Sequence, residues 1–116
     1  MDKQEYEETV ATYHDYLEKM SSATKHFCED LEASNYQEIS GVLPAIIDGL
    51  GWLNEAISGF VNLGKIDENK YQSFQNVVGS LNEALENKDY ILLHDILEYE
   101  FLPLLGELKV ENLYIS

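Results

Sequence analysis

The sequence predicts an all-α protein, an antiparallel up-down four-helix bundle with a long first helix. Three observations lead there. Apolar residues recur at alternating spacings of three and four along four segments. Turn and capping residues fall between those segments. No alternating strand pattern of useful length competes. The 116 residues fit one domain, 1–116.

The first segment is the clearest. Tyr6, Val10, Tyr13, Leu17, Met20, Thr24, Phe27 and Leu31 form an unbroken seam over three heptads, with acids and lysines between them. No glycine or proline precedes Gly41. One helix over about 3–33 follows, roughly 45 Å long at 1.5 Å per residue. Ser34 with Gln37, or Asn35 with Glu38, offers a capping box for the next helix.

The second helix, about 36–63, is the most apolar: Ile39, Val42, Leu43, Ile46, Ile47, Leu50, Leu53, Ile57, Phe60 and Val61. Pro44 must sit in its first turn or kink it. Gly41, Gly49, Gly51 and Gly59 each cost about 1 kcal/mol against alanine, so close approach to a neighbouring helix is expected at them. Gly64 is placed to end the helix. Asp67 is the expected N-cap of the third helix, whose seam is Tyr71, Phe74, Val78, Leu81 and Leu85. Asp89 is the expected N-cap of the fourth, which carries Leu92, Leu93, Ile96, Leu97, Leu104, Leu105 and Leu108. Pro103 lacks a backbone donor, so a bend or an early end is expected near Phe101. The tail 109–116 fits either a frayed helix or a short extended piece.

Composition excludes several partners. Seven lysines stand against 22 acids, with no arginine, for a net charge of −15. Phosphate backbones and anionic membrane surfaces need clustered cations, so neither is an expected partner. Asp48, Asn54, Glu55 and Asn62 interrupt the most apolar window, so no membrane span is expected. The first nine residues are polar and acidic, unlike a signal peptide, and Cys28 is the one cysteine. A lone thiol fits a reducing cytoplasm. Lysine without arginine, with many Ile, Asn and Tyr, matches the composition of AT-rich bacterial genomes.

The chemistry-bearing patterns are thin. Di-iron bundles use Glu-x-x-His pairs, but Ala11, Ala23 and Ile91 stand three residues before the histidines. His14–Glu18 and His94–Glu98 lie one turn apart, yet no third metal ligand is evident, and solvated pairs are expected. No histidine is followed by a phosphotransfer signature. Asp67-x-Asn69 starts like a calcium loop, but Gln72 and Val78 occupy its essential glycine and glutamate positions. Carboxylates next to Cys28 raise a thiol's pKa and argue against a reactive cysteine. No catalytic residue, cofactor or metal is therefore expected, and the protein is not expected to be an enzyme.

The segment Glu86–Leu105, marked by Asp89-Tyr90, Asp95-x-Leu97-Glu98-Tyr99-Glu100 and Leu102-Pro103-Leu104, resembles a C-terminal segment of small acidic helical proteins of low-GC Gram-positive bacteria. That group implies a helical fold and carries no activity to transfer onto these positions. In size, charge and architecture the chain is also similar to flagellar and type III export chaperones, which cradle amphipathic helices of their clients. The expected function is a non-enzymatic protein–protein interaction module that engages a partner helix, or itself as a homodimer, beside the second helix. Ile47, Trp52 and Phe60 are the expected contact residues. An acidic mimic of nucleic acid, blocking a basic protein surface, is the alternative, and a small metal-binding helical protein is the disfavoured third.

Overall fold

The computed structural model describes residues 2–34 and 36–111, with side chains omitted for 36–40. It is a four-helix bundle without strands among the described residues. Helix α1 runs Lys3–Glu32, α2 Tyr36–Asn62 and α3 Glu68–Glu86. The fourth rod is α4 (Tyr90–Ile96), a π-helical turn (Leu97–Phe101) and α5 (Leu102–Glu107). The long axis of the molecule, 49 Å, matches the length expected of α1.

All eight seam residues of α1 are buried, joined by Cys28. They contact the apolar sides of α2 and of the fourth rod. Leu53, Ile57, Phe74, Phe101 and Leu108 are fully enclosed in the same core. Burying each such side chain stabilises the fold by roughly 1.5–3 kcal/mol. Contacts along α1 and the fourth rod run in opposite order. The Tyr6 hydroxyl donates to the Glu111 carbonyl at 2.7 Å, Tyr13 to the Leu108 carbonyl at 2.8 Å, and Glu32 meets His94.

The helix ends follow local chemistry. Asp2, Asp67 and Asp89 accept hydrogen bonds from backbone N–H groups of the first turns of α1, α3 and α4. Gly64 closes α2 at φ +73°, with Gly64 N–H on Val61 and Lys65 N–H on Phe60. The same double bond closes α3, where Lys88 N–H reaches Leu85 and Asp89 N–H reaches Ala84. There the left-handed position, φ +52°, falls on Lys88. Ser34 is also left-handed, at φ +60°. It therefore terminates α1 and does not cap α2, because an N-cap residue needs extended backbone. The alternative cap, Asn35 with Glu38, lies outside the described residues.

One expectation about the prolines is corrected and the other is narrowed. Pro103 does not end the rod at Phe101. Helical dihedrals continue through Phe101 and Leu102, and Leu102 N–H bonds to the Leu97 carbonyl, one residue further back than in an α-helix. The wider turn relieves the clash that a proline ring makes with the carbonyl four residues earlier. It also keeps Leu93, Leu97 and Phe101 on the core side. Pro44, by contrast, sits inside α2 and not in its first turn.

Of the glycines, Gly49 makes the expected close approach. A Cβ there would collide with Met20 Cε and would come within 2.9 Å of Tyr16 Oη. Gly41, Gly51 and Gly59 have open space instead, so their helix cost finds no return in packing within this chain.

Beyond α5 the chain is strapped to α1. Alongside the two tyrosine bonds, His14 Nε2 accepts from Val110 N–H at 3.1 Å. His14 is thus a half-buried positioning group, not the solvated partner of Glu18. The described tail, Lys109–Glu111, is neither helix nor strand; its remainder, 112–116, lies outside the described residues. Tyr13 caps an orphan carbonyl at the end of α5, and burial pushes its own pKa well above the ordinary tyrosine value.

Two stability measurements follow from this fold. Thr24 is fully buried and its Oγ1 has no hydrogen-bond partner among the described residues. Thr24→Val, of similar shape, should stabilise by roughly 1 kcal/mol in urea unfolding, because an orphaned buried hydroxyl is removed. Lys88→Gly should also stabilise, by about 1 kcal/mol, because glycine adopts the left-handed conformation without a Cβ clash. Thermal melts should show gains of a few degrees for each.

Candidate functional site

Helices α1 and α2 do not meet along their whole length. Near the start of α1 they leave a groove of about 530 Å³. Its floor is Tyr13 and Phe60, whose ring centroids are 4.7 Å apart. Trp52, Ala56 and Gly59 form the α2 wall, with Leu63 just beyond the end of that helix. Thr9 and Thr12 sit on the α1 side, and the charged lining residues are Glu5, Glu8 and Glu55, all carboxylates. Trp52 is held by Tyr16, with ring centroids 4.2 Å apart and planes tilted by 35°. It keeps 39% of its surface exposed and Leu63 keeps 50%.

Of the three sequence-predicted contact residues, Trp52 and Phe60 line this groove and Ile47 does not. Trp52 is a wall of this groove. Phe60 is 3% exposed, so it is a core residue that presents only its edge as floor. Ile47, 44% exposed, lines a different groove of about 340 Å³ between α2 and α3, with Leu50, Gly51, Phe74 and Val78. The reason is angular. At 100° per residue, Ile47 and Trp52 lie about 140° apart around α2, so they face different neighbours.

A second constellation lies where α1 ends. His94 Nε2 is 2.8 Å from Glu32 Oε1 and 3.5 Å from Glu98 Oε2, while Nδ1 is 3.2 Å from Asp95 Oδ1. His94 and Glu98 are the one-turn pair seen in the sequence. The third group, Glu32, comes from the last residue of α1, 62 positions away, and no local spacing could reveal it. The pair is therefore not a simple solvated one: the His94 side chain is only 16% exposed. Burial lowers the His94 pKa, but hydrogen bonds to Asp95 and Glu32, and the charges of Glu98 and Glu32, outweigh it. The net effect holds the pKa above the ordinary 6.5.

Cys28 lies in the core one turn before Glu32. Burial, with the charges of Glu98 and Glu32, pushes its thiol up to about 11. It is protonated near neutral pH and a poor nucleophile. His26 is a surface group, 3.7 Å from Glu29.

Four packed helical rods, an acid-rimmed apolar groove and a histidine ringed by carboxylates define an all-α bundle protein. Residues 8–111 match the family described as "Domain of unknown function (DUF8042)", and the chain belongs to that family. No curated protein and no solved structure matches it. Among the described residues, no helix is long and apolar enough to cross a membrane.

The His94 cluster gives the fold a pH dependence of definite sign. Because its folded pKa is raised, the imidazolium stabilises the fold fully below the ordinary value of 6.5, and that contribution is lost as pH rises through the folded value. In metal-free buffer, the melting temperature of the wild type should exceed that of His94→Gln most at about pH 5.5, and the difference should shrink by about pH 8.5. A difference that grows with pH would contradict the assignment.

Proposed function

We propose that this protein is a non-enzymatic, chaperone-like interaction module that seats an amphipathic helix of a basic protein partner in the α1–α2 groove. The observation that carries it is the lining of that groove: an aromatic, apolar floor whose charged rim consists of Glu5, Glu8 and Glu55. Such a surface complements a helix with apolar residues at i, i+3, i+4 and i+7 and lysines or arginines on its flanks. The net charge of −15 without arginine adds long-range attraction for the same partner and repels nucleic acid. Gly59 supports it too. A glycine in mid-helix with open space beyond it lowers stability in the isolated chain, and it leaves room for an occupant's side chain.

The up-down-up-down order expected from the short loops belongs to this reading, since it runs the groove lengthwise between antiparallel α1 and α2. So does a bacterial cytoplasm, where the lone Cys28 thiol stays reduced. Trp52 is the one tryptophan of the chain and stands in the groove wall, so its fluorescence reports occupancy directly.

A panel of synthetic amphipathic peptides with lysine flanks should give a saturable change in Trp52 emission that weakens with salt. The same peptides with glutamate flanks should not. Gly59→Leu, which fills the groove, should weaken binding at least tenfold, whereas Gly59→Ala should raise the melting temperature by a few degrees through helix propensity alone. Equal binding by Gly59→Leu, or no saturable change with any lysine-flanked peptide, overturns the proposal. A dimer in light scattering that Gly59→Leu dissociates also overturns it, and makes the occupant a second copy.

A further inference from the structure

The geometry points to a divalent-cation site formed by Glu32, His94 and Glu98, separate from the groove and independent of its reading. The three residues each offer one ligand atom, and these atoms all lie within 4.8 Å of one another. Two of the distances are more telling than that limit. His94 Nε2 stands 2.8 Å from a Glu32 oxygen and 3.5 Å from a Glu98 oxygen. Nitrogen and oxygen ligands about 2.0–2.1 Å from a first-row metal are roughly 2.9–3.4 Å apart in octahedral or tetrahedral geometry. Two edges of the donor triangle therefore lie within about 0.1 Å of a coordination face, and the third, between Glu32 and Glu98, is at most 4.8 Å.

The imidazole is held for this role from behind. Asp95 Oδ1 lies 3.2 Å from Nδ1. With the Nδ1 proton donated to that carboxylate, the Nε2 lone pair faces Glu32 and Glu98. A carboxylate on the far nitrogen is the usual outer partner of a metal-binding histidine, fixing its tautomer and raising its basicity.

The electrostatics favour a cation at the same spot. Glu29, Asp30 and Glu32 crowd the last turn of α1, which holds no basic residue, although a helix C-terminus already carries partial negative charge. Among the described residues, Glu32 and Glu98 form their ion pairs with His94 alone. Three carboxylates, Glu32, Asp95 and Glu98, surround the one His94 ring. A dication bound at Nε2 takes the place of a proton there and brings one more positive charge to them.

The site is reachable. Glu32 and Glu98 side chains are 59% and 39% exposed, and a hollow of about 200 Å³ beside Leu31, Tyr90 and Ile91 opens onto His94. Three protein ligands leave the remaining positions for water. One nitrogen and two carboxylate oxygens suit a first-row divalent ion such as Zn²⁺, Mn²⁺ or Fe²⁺, in preference to soft Cu(I), which selects thiolates and thioethers. Bound there, the ion would tie the end of α1 to the fourth rod and act as a staple.

Equilibrium dialysis of tag-free protein against Zn²⁺, with metal analysis, tests it, and Co²⁺ serves as the spectroscopic probe. The expected result is one ion per chain and a rise in melting temperature, both lost in Glu32→Gln and His94→Gln. Asp95→Asn should bind at least about tenfold more weakly. His26→Gln, at the nearby surface pair with Glu29, should bind as the wild type does. Circular dichroism of the metal-free variants establishes that they fold; Glu32 is exposed enough for its amide to be tolerated. Substoichiometric binding, or affinity unchanged in both Glu32→Gln and His94→Gln, overturns the site and leaves only a histidine–carboxylate ion pair. Because Trp52 reports the groove, loss of metal binding and loss of peptide binding are read separately.

Discussion

The structure depends on one continuous contact: the buried stripe of α1, from Tyr6 to Leu31, against which α2 and the fourth rod pack. Spacings of three and four match the 3.6-residue pitch, so a stripe of that kind stays on one side of a helix for its entire length. A stripe that runs from Tyr6 to Leu31 can organise several partners at once. The two tyrosines in its N-terminal half do more than fill space. Their hydroxyls reach across to carbonyls beyond the end of α5, and His14 holds the adjacent Val110 N–H. The same face that makes the core thus also fixes where the chain goes after its last helix.

Elsewhere the backbone yields to local residues so that this packing survives. The turn Leu97–Phe101 widens ahead of Pro103, and the rod goes on. Three helices end on left-handed residues, two of which are not glycine, at Ser34 and Lys88. Each is a local cost, of order 1 kcal/mol, accepted because the following helix must start in a given place. Gly49 shows the reverse, a helix-weakening residue required by the approach of Met20 and Tyr16.

The two candidate sites sit at different places on the same helix. Toward the N-terminal half of α1, the groove combines apolar surface with carboxylates, the combination on which the proposed basic partner rests. At the C-terminal end of α1, carboxylates gather around one imidazole. Both express the acidity of the chain, but differently. In the groove the negative charges frame an apolar floor, whereas around His94 they converge on a single imidazole ring.

The helices and their caps were legible in the chain itself. The α1 seam, Asp67 and Asp89 as N-caps, and Gly64 as terminator are all determined by residues within a few positions of one another, and local geometry is set by neighbours. Ile47, Trp52 and Phe60 stood on one wide apolar arc in the sequence, and they could not be sorted there, since which part of such an arc is covered depends on where α1 and α3 lie. Glu32 beside His94 was beyond reach altogether. Two residues 62 positions apart share no periodicity, and only the docking of the fourth rod against the end of α1 brings their side chains within 2.8 Å.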